Sequence, residues 1–265
     1  MKPEYFLNIT SRYGETGATG ITRLAVLADW LQEAATINAQ ELHFGEETMQ
    51  SYGLTWVLVR QKLVLFRVPH AGETVRVRTW PSQYDRFGHR GYEIFDAAGQ
   101  CLVQAVSAWA VMDLQTRKMV PLPRAILQQY PTDLHPCAPF SCKILPRISD
   151  IEHQFALRVR HDDLDSNGHV NNAHYLSWLT ECLPETERSC LTMLDVAFRA
   201  ETFPAEELLS LCGQAKHTAM GWQRAHAIRR PHGEDVCRAL LAWQQTSKHT
   251  APSRQAPCNS LHNKE

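Results

Sequence analysis

The order of predicted elements repeats once along the chain, and this repeat constrains the fold more than any other feature. In each half an amphipathic helical pattern precedes a long β-branched strand, a turn, a second strand and a hairpin. The first copy comprises a helix over 22–43 and strands over 54–66, 74–80, 90–95 and 100–112. The second comprises a helix over 172–182 and strands over 191–198, 207–216, 222–229 and 235–245.

Single sequence matches place the two copies in register. Phe66-Arg67 corresponds to Phe198-Arg199 at an offset of 132, and Ala108-Trp109 corresponds to Ala242-Trp243 at an offset of 134. Such short matches are weak alone, but the shared order of elements supports two copies of one module. A helix with one apolar face buries that face when an antiparallel sheet curls around it. The predicted fold class is therefore α+β, a tandem (double) hotdog with two long helices, each wrapped by an antiparallel sheet.

Composition divides the chain into four regions. We predict an N-terminal hotdog over 1–128, a proline-containing linker over 129–149 and a C-terminal hotdog over 150–245. The last stretch, 246–265, is polar and has almost no apolar periodicity, so a disordered tail is predicted there.

Charge and composition exclude several classes of protein. The 27 Lys+Arg nearly balance the 28 Asp+Glu, which argues against a nucleic-acid binder. We find no apolar run long enough to span a membrane and no secretory pattern at the N-terminus, so a cytoplasmic location is predicted. The eight cysteines form no CxxC and the thirteen histidines no HExxH, so neither a metal nor another cofactor is expected.

The densest polar cluster precedes the second helix. Asp165, Asn167 and His169 alternate along the chain, and alternation in an extended segment places side chains on one side. Asn171 or Asn172 would then cap the helix. The cluster could hold a developing oxyanion beside the helix N-terminus. It could equally be an Asx-rich capping loop in which His169 hydrogen-bonds a neighbouring carbonyl.

The stretch 164–178, LDSNGHVNNAHYLSW, resembles the acyl-ACP thioesterase family, whose pattern is a DxNxHVNN loop and then a helix with Tyr, Trp and Glu. Glu181 fits the last position. The resemblance covers roughly residues 5–245, with the specific motif in the C-terminal half. It implies a double hotdog that hydrolyses acyl-acyl carrier protein (acyl-ACP), releases free fatty acid and terminates fatty-acid synthesis. It also implies that the N-terminal hotdog binds the acyl chain and the C-terminal hotdog is catalytic.

The family's catalytic positions fall on Asp165, Asn167, His169 and Glu201. Plant members carry Cys directly after that Glu, whereas this chain has Thr202, so a cysteine nucleophile is impossible there. Asp165 or Glu201 would activate water as general base while Asn167 and His169 position water and carbonyl. In a variant, Asp165 attacks and forms an acyl-enzyme anhydride.

Three other functions compete with this hypothesis. They are an acyl-CoA thioesterase on the same fold, a hotdog dehydratase, which the polar set fits less well, and a non-catalytic acyl-binding hotdog protein. Arg117, Lys118 and Arg124 are basic residues that could meet an acidic acyl carrier protein. The sequence does not specify the preferred acyl chain length. Both a monomer and a homodimer are compatible with it.

Overall fold

A computed structural model describes residues 3–131, 135–165, 168–219 and 221–244. The helices are α1 (Leu24–Glu41), α2 (Glu46–Ser51), α3 (Arg124–Leu127), α4 (Asn172–Glu181) and α5 (Glu185–Arg188). The strands of the first half are β1 (Tyr5–Thr10), β2 (Leu54–Leu65), β3 (Thr74–Tyr84), β4 (Gly88–Phe95), β5 (Cys101–Asp113) and β6 (Met119–Val120). Those of the second half are β7 (Ile151–Arg158), β8 (Leu191–Phe198), β9 (Glu207–Gly213), β10 (Lys216–Thr218), β11 (Gly221–Arg229) and β12 (Asp235–Trp243).

The strands form one antiparallel sheet in which the second half repeats the strand order of the first half in reverse. The order is β1-β3-β4-β5-β2 in the first half and β8-β12-β11-β9-β7 in the second. The two long strands β2 and β8 pair antiparallel at the centre, with Leu63 opposite Leu194. Each half thus has the same topology, and the predicted α+β tandem architecture is confirmed.

The two long helices bury their apolar faces against this sheet and against each other. Leu27, Leu31 and Ala34 on α1 are fully buried at i, i+4 and i+7. Leu176 and Leu179 do the same on α4, and all five belong to one continuous core. Burying each leucine contributes about 1.5–3 kcal/mol. Helix α1 packs directly on α4, so the helices of the two copies are in contact.

Three strands were not predicted from the sequence, namely β1, β7 and the two-residue β6, which pairs with β5. Strand β1 pairs with β3 at one edge of the sheet, and β7 pairs with β9 at the other. The predicted strand over 207–216 is divided into β9 and β10, and β3 continues past Pro81 through an irregularity between Pro81 and Gln83. The predicted tail over 246–265 lies outside the described residues.

The described residues contain no helix that is both long and apolar enough to cross a bilayer.

Candidate active site

The polar loop before α4 is a tight turn. The Asp165 amide donates to the His169 carbonyl at 2.7 Å, and the Gly168 amide donates to the Asp165 carbonyl at 3.0 Å. Gly168 has φ 75°, a conformation that glycine adopts without strain. The expectation of an extended, alternating segment is therefore wrong, because backbone hydrogen bonds close the loop. Asn167 lies outside the described residues.

A buried carboxylate holds the start of this loop. Asp163 accepts the Arg160 amide at 2.7 Å through its side chain, and its carbonyl accepts the Asn171 amide at 2.9 Å. The Asn171 side chain in turn accepts the Ala173 amide at 3.0 Å and is the N-cap of α4, as predicted. His174 Nδ1 lies 3.5 Å from the Asp163 carboxylate. The loop and the first turn of α4 therefore form one hydrogen-bonded unit.

Three of the predicted site residues come together at this unit. The Asp165 side chain accepts the His169 amide at 3.2 Å, and His169 Nε2 lies 3.8 Å from Glu201 Oε2. Glu201 follows β8 and reaches the loop because the Val170 amide donates to the Thr202 carbonyl at 3.2 Å. Phe203 places its ring edge-on to His169 with centroids 5.3 Å apart. His169 and Glu201 are both partly exposed, so a substrate can approach them.

Arg117 from the other half of the chain contacts Glu201. Its Nη2 is 2.5 Å from Glu201 Oε1 and also contacts Oε2. Arg117 lies in the turn between β5 and β6 with φ 56°, and its amide donates to the Asp113 carbonyl at 2.9 Å. The Glu201 backbone carbonyl accepts a 2.7 Å hydrogen bond from Arg230. Sequence reasoning considered Arg117 only as a docking residue, since no pattern links positions 84 residues apart.

Thr202, which occupies the position of the plant cysteine, is fully buried. Its hydroxyl is 2.6 Å from the Tyr175 hydroxyl on α4. Burial raises the pKa of Tyr175 above its usual range, so both hydroxyls remain protonated. This pair anchors the segment that carries Glu201 to the helix.

The first half contains the same loop with different side chains. The Gly17 amide donates to the Ile21 carbonyl at 2.9 Å, and the Gly20 amide donates to the Gly17 carbonyl at 3.0 Å. Gly20 also has φ 75°. Bridges join Thr16 to Thr22 here and Leu164 to Val170 in the second half. Gly17 and Ile21 thus take the places of Asp165 and His169.

The correspondence extends to the strand that follows. The Thr22 amide donates to the Pro69 carbonyl, as the Val170 amide does to that of Thr202. The residue before Pro69 is Val68, which packs against the core, whereas the residue before Thr202 is Glu201. The loop therefore forms in both copies, but only the second has acids and an imidazole at these equivalent positions.

A cavity of about 190 Å³ lies in the first half, between α1 and the sheet. Its walls are α1, the start of α2, the sheet and Tyr130. Residues of α1 that line it include Gln32, Thr36 and Ala39, and Trp56 and Trp109 line it from β2 and β5. Helix α1 and strands β2 and β5 thus border this cavity.

Helix α1 connects this cavity to the polar loop. Asp29 accepts a 3.3 Å hydrogen bond from the Asn171 side chain, and Gln32, Thr36 and Ala39 follow on the same face at helical spacing. Partial burial raises the pKa of the Asp29 carboxyl, and the Asn171 hydrogen bond and nearby His174 oppose that increase. Sequence reasoning missed Asp29, because its partner lies in the other copy.

The fold is a tandem hotdog, shared with the crystal structure of an acyl-ACP thioesterase from Bacteroides thetaiotaomicron. That structure is 24% identical with a TM-score of 0.80, over 91% of this chain and 98% of that one. The model of the acyl-ACP thioesterase N-terminal domain matches residues 4–130, and that of the C-terminal domain matches residues 147–245. The chain therefore belongs to the acyl-ACP thioesterase family.

Two chloroplast proteins are among its relatives. An acyl-[acyl-carrier-protein] hydrolase of Cuphea viscosissima is 28% identical over 89% of this chain and 62% of its own length. A palmitoyl-acyl carrier protein thioesterase of Arabidopsis thaliana is 28% identical over 92% of this chain and 64% of its own length. The chain thus spans less than two thirds of either relative.

Proposed function

We propose that the protein is a thioester hydrolase that releases free fatty acid from acyl-ACP and so ends fatty-acid synthesis. Membership of the family supports the reaction class. The names of the relatives supply acyl carrier protein as the partner. A cytoplasmic location stays a prediction from the sequence.

The observation that carries the proposal is the contrast between the two loops. A loop with Gly17, Ile21 and Val68 has the same backbone hydrogen bonds as the loop with Asp165, His169 and Glu201. The fold therefore does not require the second set, and capping is already performed by Asn171. Two carboxylates and an imidazole that the fold does not need, gathered in a partly exposed site, are candidates for acid–base chemistry.

The proposed mechanism uses water and a carboxylate. Asp165 or Glu201 takes a proton from the attacking water, and His169 and Asn167 position the water and the thioester carbonyl. An amide at the N-terminus of α4 would stabilise the developing oxyanion. Because Arg117 contacts both oxygens of Glu201, it must share or release that carboxylate if Glu201 is the base. Direct attack by Asp165 through an anhydride is the competing route.

The acyl chain is proposed to lie in the cavity beside α1. The wall residues Ala35, Ala39, Phe44, Trp56 and Trp109 offer apolar and aromatic surface of the kind that binds small apolar ligands. The face of α1 that begins at Asp29 leads from the polar loop to these residues. The N-terminal hotdog would then bind the chain and the C-terminal hotdog would cleave it, as the domain assignment 1–128 and 150–245 proposes.

The test is thiol release from a panel of acyl-ACPs and matching acyl-CoAs. Turnover of acyl-ACP above acyl-CoA supports the proposal, whereas equal or faster turnover of acyl-CoA identifies an acyl-CoA thioesterase. Acyl binding without turnover of either thioester contradicts an enzymatic function and identifies an acyl-binding protein.

A further inference from the structure

Three side chains with soft or borderline metal-binding atoms converge inside the C-terminal half. Cys182 caps the C-terminus of α4, Cys212 lies on β9, and His226 lies opposite Cys212 on β11. The two sulfurs and one ring nitrogen of His226 all lie within 4.8 Å of one another. All three residues are buried. The cluster is separate from the proposed active site, which lies at the other end of α4.

Two of the distances suit a tetrahedral site. With Zn–S near ~2.3 Å and Zn–N near ~2.0 Å, tetrahedral ligand atoms lie roughly 3.5–3.8 Å apart. Cys182 Sγ is 3.7 Å from His226 Nδ1 and 3.4 Å from the hydroxyl of Ser210. Ser210 also donates to the Trp178 carbonyl at 2.7 Å, so its oxygen is fixed beside the cluster. These two distances are close to tetrahedral spacing, and Cys212 Sγ lies within 4.8 Å of the other two ligand atoms.

Metal binding would fix the charge and the tautomer of the cluster. Cys182 Sγ approaches the His226 ring at Nδ1, so Nδ1 would be the ligand atom and the proton would stay on Nε2, which is buried and has no hydrogen-bond partner among the described residues. Two thiolates and one divalent cation sum to zero charge, which suits a site inside a core. In the first half the corresponding strand pair is Thr79 opposite Tyr92, a pair without soft ligands. Only the second copy therefore presents this donor set.

We propose that Cys182, Cys212 and His226 bind one zinc-class divalent cation, with Ser210 or a water as fourth ligand. The cation would tie the end of α4 to β9 and β11 and stabilise the C-terminal half without taking part in thioester hydrolysis. The ligands are separated by 30 and 14 residues, so no short motif reveals them. The expectation from the sequence that the protein binds no metal rested on such motifs alone.

The test is the metal content of the full chain. The untagged protein is expressed in zinc-supplemented medium, purified without chelators and analysed by mass spectrometry of the elements. We expect roughly one zinc per chain in the wild type and at least a tenfold lower content in Cys182→Ser and Cys212→Ser. Cys237→Ser is the matched control, because Cys237 is also fully buried but lies outside the cluster. This variant should keep its zinc.

Refolding in Co²⁺ gives a second readout that needs no variant. Thiolate coordination predicts a sulfur-to-cobalt charge-transfer band in the near ultraviolet, together with a visible spectrum typical of tetrahedral cobalt. Metal-bound protein should also melt on the order of 5 °C above metal-free protein. Wild-type protein that holds no zinc and shows no cobalt–sulfur band would overturn the proposal. So would a Cys182–Cys212 disulfide in protein purified under reducing conditions.

Discussion

The loops at 16–22 and 164–170 share their backbone hydrogen bonds but differ in their side chains. Both close with the same pair of amide–carbonyl hydrogen bonds, and both have glycine at φ 75°. In both, an acid one residue before the loop accepts a backbone amide three residues upstream, Glu15 from Arg12 and Asp163 from Arg160. The comparison separates what the loop needs to fold from what it carries for reaction. Glycine and the upstream acid are structural, whereas Asp165 and His169 are additions to one copy.

The two halves of the sheet differ in the partners of a buried arginine at equivalent positions. Arg90 on β4 and Arg224 on β11 are both buried. Arg224 contacts Glu187 and Glu152, while the side-chain hydrogen bonds of Arg90 run to Asn38 and Thr79. Burial lowers the pKa of Arg90, which lines the cavity. The buried arginine of the first copy thus borders a cavity beside α1, whereas that of the second copy is held in ion pairs.

The largest expected effect comes from removing the acids of the second loop. Asp165→Asn and Glu201→Gln should each lower kcat/KM for acyl-ACP by about 100- to 10,000-fold, because an amide can neither accept the proton nor attack. Steady-state thiol release measures this. The matched control is Thr19→Ala in the first loop, which should retain wild-type rates. Near-normal rates in both acid variants would contradict the assignment.

A smaller loss is expected from Arg117, which joins the two copies at the site. Arg117→Gln should lower kcat about tenfold with little change in KM, because Glu201 loses the group that orients it. Arg117→Lys should restore part of the rate, and Arg147→Gln, which alters another exposed arginine, should have no effect. If KM rises for acyl-ACP but not for acyl-CoA, Arg117 is instead a docking residue.

The preferred acyl chain length should change when a larger side chain on α1 partly fills the cavity. Ala39→Phe places a ring where α1 lines the space, so the preference should shift toward shorter acyl chains by roughly tenfold in relative kcat/KM. A panel of acyl-ACPs of increasing length measures the shift. Equal loss for every chain length would place the acyl group elsewhere.

The smallest effect concerns the turn after Pro69 in the first copy. The hydrogen bond from Arg67 lowers the pKa of Glu73 to about 2 from 4.5. Because the folded value is the lower one, the stabilisation is fully present above pH 4.5 and is lost as pH falls toward about 2. The pair is partly exposed, so Glu73→Gln should cost only about 1 kcal/mol at pH 7. Denaturant unfolding at several pH values should show this difference shrinking in acid.

The repeat could be predicted because the helices and strands of each copy have clear apolar periodicity and follow in the same order. Strand β8 matches its predicted range, and the two hairpins form around Gly99 and Gly233, both at positive φ. Strand β7 was missed because it is an edge strand whose residues are almost all exposed, so it has no alternation to read. Strand β1 does alternate, with Tyr5, Leu7 and Ile9 inward, so this strand can be recognised from its apolar periodicity.

The candidate site was only partly readable. Asp165, His169 and Glu201 were identified through their resemblance to a family motif, and the structure brings them together. The partners supplied by the other copy could not be predicted. Asp29 and Arg117 reach the site through the packing of α1 on α4 and through a turn beyond β5, and these contacts exist only after folding.

The most direct test of the central claim compares acyl-ACP hydrolysis by wild type, Asp165→Asn and Thr19→Ala in one assay. The account predicts thiol release by wild type and Thr19→Ala, and its near-complete loss in Asp165→Asn with the fold intact by circular dichroism. Full activity in Asp165→Asn, or no turnover of any thioester by the wild type, would contradict the claim that the second loop was built for hydrolysis.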